Sequence, residues 1–347
     1  MFFYKILLFL NFINLSFEYL ISNNFLKDNW HCIGIKENID FSKPYKINIG
    51  ELPLVIWKNP INKKIISAVN ICKHMGSKLD NGEITSNGCL KCQYHGLEYS
   101  NEDEFGKIME HEGKIFWAYE PIKNKPFNVP FYNNKDYIQS FLEIDMESSL
   151  KDSAYNTMDL RHPEYVHNKI VGFGNNIPPQ NIKYYKYNDS SRIGLSFNYF
   201  SNKVIRKMNK DTLITKNFHM YIYPSFSWSK VTFNKNNKNN DLIIGVDLLP
   251  LNNDKTRWYI TICHNYYKSE FEKNLMKVLA FTILSQDFIQ MKNQYKNNNL
   301  KNTILFEHVF KDEEVILELH KIFDNYKYPD IEECVKLYTD YKLSKKK

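Results

Sequence analysis

The sequence predicts an α+β protein in two unequal parts, a small all-β domain followed by a larger domain whose long antiparallel sheet is flanked by helices. Three observations carry this reading. Short apolar runs broken by turns fill residues 30–130, the spacing of a small antiparallel sheet. Longer alternating runs then crowd residues 193–267, as half-buried strands do. The longest helical pattern, residues 269–295, comes only after them.

The chain opens with MFFYKILLFLNFINLSFEYLIS, one lysine and then a mostly apolar run, which is the outline of a signal peptide. Asn11, Asn14 and Glu18 interrupt it, so it makes a poor bilayer span. Two expectations stand for residues 1–23: a targeting signal or membrane anchor formed by residues 1–22, or a plain helix packed on the domain. No other segment has the apolar length to cross a bilayer. A cytoplasmic or organellar location follows, at a membrane if the segment anchors.

Residues 24–130 are expected to form the first domain, with strands in YKINIG, LPLVIW, KKIISAVNI, GLEYS and GKIFWAYEP. The segment PIKNKPFNVPFYNNKD, rich in Pro and Asn, reads as the linker. In residues 131–347 a helix-compatible stretch spans 148–170, and strands are expected at 193–200, 213–223, 226–233, 242–249 and 257–267. Ser269 is a plausible N-cap for the long helix, with acids in its first turn. A shorter helix, EEVILELHKIFDNY, follows. NKNNKNN (234–240) and NQYKNNN (293–299) read as loops or frayed ends.

Composition narrows the function. The chain is 43 % apolar and 24 % charged, which is globular. Its net charge of +7 comes from lysines interleaved with acids, with no basic stripe for nucleic acid. Six cysteines at irregular spacing make no disulfide framework; reduced thiols or metal ligands are expected.

The chemistry is concentrated in ICKHMGSKLDNGEITSNGCLKCQYHGLEYS, residues 71–100. Cys72 and His74 form one pair, Cys92 and His95 another, 17 residues apart, and a glycine follows each. Structural zinc sites usually draw close-spaced ligands of one kind, Cys with Cys or His with His. Mixing thiolate and imidazole in each loop suits a two-iron cluster with two Cys on one iron and two His on the other. Gly76 and Gly96 allow tight turns around it. Cys89 is expected as a small buried residue ahead of the second loop. A zinc site is the alternative.

This pattern resembles the Rieske [2Fe-2S] motif, Cys-x-His-x17-Cys-x2-His. The loops lack the additional cysteine pair of respiratory Rieske proteins, so the likeness is to the oxygenase type. The rest of the chain then needs a role, and NTMDLRHPEYVH, residues 156–167, offers one. His162 and His167 can meet at one metal if the helix is locally irregular, and a ferrous oxygenase centre takes two histidines and one carboxylate. Asp287, an acid in the apolar middle of the long helix, is the best third ligand, because a metal offsets the cost of burying it. Read alone, these could be ordinary histidines and a solvent-facing acid.

With both motifs, the chain is similar to the Rieske non-haem iron oxygenases, close to their single-subunit, vanillate-demethylase-like and pheophorbide-oxygenase-like members. The resemblance implies a helix-grip, START-like catalytic domain. His162, His167 and Asp287 would bind a mononuclear Fe(II), Asn156 would line it, and Asp159 would bridge His162 to His95 of a neighbouring subunit in a head-to-tail homotrimer. It also implies a terminal oxygenase that uses O2 to hydroxylate, demethylate or desaturate an apolar ring substrate, with electrons from NAD(P)H. No Rossmann or flavin fingerprint occurs in the chain, so these come through a separate reductase, a ferredoxin, or both. The segment VGFGNNIPPQN (171–181) is expected at the pocket mouth. The alternative function is a Rieske electron-transfer protein with a non-catalytic second domain.

Overall fold

The computed structural model describes residues 25–167, 179–187, 191–200, 214–235, 238–266, 268–297, 313–324 and 326–345, together with Ile170, His308 and Phe310. The N-terminal segment 1–23 and most of the 171–181 stretch lie outside the described residues. No helix among the described residues is long and apolar enough to cross a membrane.

A short helix α1 (Phe25–Asp28) leads into β1 (His31–Ile35), β2 (Tyr45–Ile49), β3 (Leu52–Lys58), β4 (Ile65–Val69), β5 (Glu83–Ile84), β6 (Leu90–Lys91), β7 (Glu98–Tyr99), β8 (Lys107–His111) and β9 (Lys114–Ala118). These make three small antiparallel sheets, ordered β1-β9-β8, β2-β3-β4 and β5-β6-β7. In β3 most residues are buried on both faces, which is why LPLVIWK reads as a run rather than an alternation. Two buried indoles are satisfied by carbonyls: Trp57 donates to Gly88 and Trp117 to Phe105.

The second part is one seven-stranded antiparallel sheet built from β10 (Ile138–Met146), β11 (Gln180–Lys186), β12 (Arg192–Phe200), β13 (Ile214–Ile222), β14 (Phe226–Lys235), β15 (Lys238–Asn252) and β16 (Lys255–His264). Its order is β10-β16-β15-β14-β13-β12-β11. The five strands expected from alternation are all present, with β10 and β11 added at the edges. NKNNKNN is not simply a loop: Asn234 pairs with Asn239 and Lys235 with Lys238, so both strands run to the hairpin tip.

The two faces of this sheet have different partners. Gly245 lies so close to Val129 of the connecting segment that a Cβ would sit 2.6 Å from its methyl. The neighbouring outward residue, Asp247, is paired with buried Lys114 of β9. The opposite face receives helix α2 (Leu150–Met158), which packs across β13, β15 and β16. There Trp258 donates its indole N–H to Ser153 at 3.0 Å.

The expected 148–170 helix is broken. Asp159 ends α2, its N–H reaching the Tyr155 carbonyl, and its carboxylate accepts the N–H groups of Arg161 and His162. The side chain thus replaces the helical ladder with a local turn. A one-turn helix α3 (His162–Tyr165) follows, with Pro163 at its start.

The long helix α4 (Glu270–Tyr295) opens with a capping box between Ser269 and Glu272. It extends through Asn293–Tyr295, so the front of NQYKNNN is helical rather than frayed. Helix α5 (Glu314–Phe323) packs against α2 and β12, and Tyr155 and His320 join the two helices at 2.9 Å. A last helix, α6 (Ile331–Ser344), adds to the elements expected from the sequence and returns to the small β part. Tyr341 meets Phe105 edge-on at 5.1 Å, Pro329 covers Gly50, and Lys345 donates to the Glu102 carbonyl.

Candidate active site

The two Cys-His loops are built to one plan. The Cys72 N–H bonds the Ser77 carbonyl at 2.7 Å, and the Cys92 N–H bonds the Leu97 carbonyl at 2.8 Å. The N–H of Gly76 returns to the Cys72 carbonyl, and that of Gly96 to the Cys92 carbonyl. Both glycines have φ near +70°, at +74° and +73°, a region closed to most side chains. The loops bring the His74 and His95 rings to 4.6 Å, edge to face.

Burial separates the ligands by type. Cys72 and Cys92 are buried, whereas His74 and His95 stand exposed in a rim with Ile71, Met75, Tyr94 and Leu97. Burial alone would push the Cys72 thiol up. Hydrogen bonds from Tyr99, from the backbone at His74 and Met75 and from Cys92 outweigh it and hold the thiol below its ordinary value, the direction a thiolate ligand requires. Tyr99 is itself positioned, its hydroxyl accepting the Lys73 N–H at 2.6 Å. Cys89 is half-buried rather than buried and ties into a turn with Thr85. Among the described residues, the group whose donors all fall within 4.8 Å lies elsewhere. The Cys-His loops pair a thiol with an imidazole in each, which suits a two-iron cluster better than a structural zinc ion.

That compact group is His162, His167 and Asp287. Asp287 Oδ1 lies 3.1 Å from His167 Nε2 and 3.6 Å from His162 Nε2, and Asn156 donates to the same oxygen at 3.4 Å. The break after Asp159 makes this possible: His162 opens α3 and His167 follows its end, so the rings converge at 5.3 Å and 80°. Helix α4 supplies the acid from across the chain. Asp287 and Met291 are its buried residues, and Asp287 is only 5 % exposed.

The other ring nitrogens are also accounted for. His167 Nδ1 faces Gln286 Oε1 at 2.8 Å, and His162 Nδ1 faces Asp159 Oδ2 at 3.7 Å. The second distance is a contact of charges rather than a formed hydrogen bond, and His162 Nδ1 has no other protein partner among the described residues. Burial opposes the charged form of both groups. The pairing outweighs it, holding Asp159 below the usual carboxylate range and raising His162. The Asp159 side chain keeps 29 % of its surface exposed, so one edge is open to a neighbour.

Two imidazoles and one carboxylate turned to a common point, each backed by a further polar group, form the facial set that suits non-haem Fe(II). The sequence points to every member of it. It does not single out Gln286 as a partner of His167, Tyr99 beside Cys72, or His219 on β13. His219 is close enough to His162 for the charge there to be felt, and burial first, then that charge, lowers it to about 4.

Residues 29–116 match the family model described as the Rieske [2Fe-2S] domain. The chain is 33 % identical to pheophorbide a oxygenase, chloroplastic, of Oryza sativa subsp. japonica, over 42 % of this chain and 34 % of that protein. It is 25 % identical to the oxygenase component of dicamba O-demethylase of Stenotrophomonas maltophilia, over 41 % and 48 %. A crystal structure of dicamba monooxygenase bound to 3,6-dichlorosalicylic acid superposes with a TM-score of 0.72, at 15 % identity, over 91 % of this chain and 99 % of that one. Residues 29–116 thus form a Rieske [2Fe-2S] domain, and the chain is similar to Rieske-type oxygenases. Its architecture is that of the dicamba monooxygenase structure: a small all-β Rieske domain, then a domain with a large antiparallel sheet and helices. The matched regions span at most about half the length of the curated Rieske relatives.

Proposed function

We propose that this chain is the terminal oxygenase of a multicomponent system acting on an apolar ring substrate. The observation that carries the reading is the convergence of His162, His167 and Asp287 within 4.8 Å, in a chain that also has a Rieske domain. A second domain serving electron transfer alone has no need of a buried carboxylate aimed at two imidazoles. The names of the relatives, pheophorbide a oxygenase and dicamba O-demethylase, support a ring compound and leave hydroxylation, demethylation and desaturation all open.

In this reading the domains divide at residues 24–130 and 131–347. Cys72 and Cys92 would hold one iron of the cluster, and His74 and His95 the other. When bound, the cluster would supply single electrons and the mononuclear iron would supply the activation of O2. The chain's own residues do the positioning. Gln286 Oε1 accepts from His167 Nδ1–H, which fixes the tautomer and leaves Nε2 free for metal. Asn156 orients Asp287 from the side. Asp159 holds His162 Nδ1 and offers its exposed edge to the neighbouring subunit's cluster.

The rim around His74 and His95 supports a homotrimer. Met75 is 65 % and Tyr94 61 % exposed, and apolar side chains at a redox edge favour a docked partner. Such a head-to-tail contact closes as a cyclic assembly. Electrons would arrive from NAD(P)H through a separate reductase or ferredoxin. Anaerobic purification with iron and sulfide counting, alongside the EPR spectrum of the dithionite-reduced protein, tests the assignment. Three irons, two sulfides and a Rieske signal per chain are expected. Two irons with the Rieske signal would mean the electron-transfer alternative, and zinc would overturn both.

A further inference from the structure

Antiparallel register places His219 in one cross-sheet row with Leu195 on β12, Ser229 on β14, Ile244 on β15 and Ile262 on β16. Paired residues point to the same face. This is the face that carries Trp258, and so the face that receives α2 and the iron-binding turn behind it. His219 therefore sits on the sheet floor beside the metal group. The floor around it is apolar: Leu195, Phe197 and Ile262 are buried, and the Phe197 ring meets the His219 ring edge-on at 5.0 Å.

His219 Nδ1 is covered from solvent and has no protein hydrogen-bond partner among the described residues. Its polar neighbour one step along the strand face, Asn217, is by contrast satisfied by Thr215. Nor does His219 belong to the metal-donor group, which consists of His162, His167 and Asp287. A buried ring nitrogen left unpaired is costly, and this one lies near enough to His162 for its charge to be felt.

Building on the oxygenase reading, we propose that His219 selects the substrate by hydrogen bonding a polar substituent on an otherwise apolar ring. The ring itself lies against Leu195, Phe197 and Ile244, and its hydroxyl or amine group donates to the free nitrogen of His219, whose ring N–H is taken by the Thr157 backbone. Selectivity follows from the same cost: an isosteric ring without that substituent leaves the nitrogen unpaired in the complex as well.

The test is anaerobic calorimetric titration of the full-length, iron-loaded protein with 2-naphthol and with 2-methylnaphthalene, which match in shape and differ in hydrogen bonding. Wild type should bind 2-naphthol about tenfold more tightly, the size of one net hydrogen bond. His219→Phe should bring the ratio near one while keeping the affinity for 2-methylnaphthalene. His219→Asn, which keeps a polar atom near the Nδ1 position, should retain most of the preference, and His219→Leu, which removes it, serves as the reading if the Phe variant loses its Rieske EPR signal. Equal affinities in wild type, binding of neither ring, or an unchanged ratio in His219→Phe or His219→Leu would overturn the proposal. Iron counting on the same samples reads the oxygenase assignment separately, so the two can fail independently.

Discussion

Gln286 and Asp287 are consecutive residues of α4, and between them they hold both nitrogens of His167: Oε1 of Gln286 stands 2.8 Å from Nδ1, and Oδ1 of Asp287 stands 3.1 Å from Nε2. Adjacent helical residues diverge by about 100°, enough to embrace one ring from two sides. The helix thus fixes the orientation of a ring that it does not itself carry.

Gln286→Leu should therefore weaken the mononuclear iron by about 10–100-fold, the usual effect of losing such a backing hydrogen bond. Iron titration of protein with an intact cluster measures it. Gln286→Glu keeps an acceptor and should lose less. An unchanged affinity in the Leu variant would show that His167 is oriented by packing alone.

Asp159→Asn should leave both metal sites filled while turnover falls by orders of magnitude. The carboxylate touches His162 Nδ1 but lies outside the compact donor group, so its loss removes a link rather than a ligand. Iron content, the cluster's EPR signal and single-turnover product yield separate these effects. Normal product formation would sink the bridging assignment.

Asp145 provides a pH-dependent prediction for the second domain. Burial acts to raise its carboxyl, but Arg257 through two hydrogen bonds and Lys255 at 3.2 Å outweigh it and hold it below the usual range. A depressed folded value means stability that is present above the unfolded carboxylate range, near pH 4, and lost as pH falls through the folded value. Asp145→Asn should lower the melting temperature at pH 7, with the difference from wild type vanishing on acidification. Since the pair is partly exposed, solvent screening keeps the effect modest. A difference that persists in strong acid would refute the charge mechanism.

Much of this site is legible in the sequence because its signals are local. Ser269 and Glu272 announce the start of α4, and the glycines four residues after Cys72 and Cys92 announce two equivalent turns. What stays hidden depends on contacts distant in sequence. Nothing in IEECVKLYTDYKLS says that α6 will return to cover Phe105. The end of α2 is obscured for a different reason: helix-compatible residues continue through it, and only the Asp159 side chain, by capturing two N–H groups, stops the ladder. His219 looks like any polar residue on an alternating strand until the register sets it beside His162.

Gly76→Ala separates backbone strain from packing. A Cβ there meets nothing within 4 Å, yet φ is +74°, so the cost is that of a non-glycine residue in the left-handed region, about 1–2 kcal/mol. At Gly82 a Cβ would lie 2.3 Å from the Lys91 carbonyl, a clash that the backbone must move to relieve. Denaturant unfolding should show Gly82→Ala as the more damaging change, and Gly76→Asn as milder than Gly76→Ala, because Asn tolerates the left-handed region better. Equal losses for Ala and Asn at residue 76 would mean that φ is not the constraint.

Lys114 and Asp247 form a buried ion pair between the Rieske domain and the outer face of the large sheet, with Lys114 1 % and Asp247 6 % exposed. Burial opposes both charges: at Lys114 it is outweighed, chiefly by Asp247, and the ammonium is raised, whereas at Asp247 burial outweighs Lys114 and raises the carboxyl. Removing one partner strands the other, which costs about 3–5 kcal/mol, so Asp247→Ala should destabilise strongly. Replacing both with apolar residues of similar volume, Lys114→Met with Asp247→Leu, should recover much of that loss, since a buried pair contributes little net stability over good packing. Chemical unfolding of the two single variants and the double variant measures this as a coupling energy. If the double variant is as unstable as the sum of the singles, each charge is held by its own surroundings, and the pair does not join the two domains.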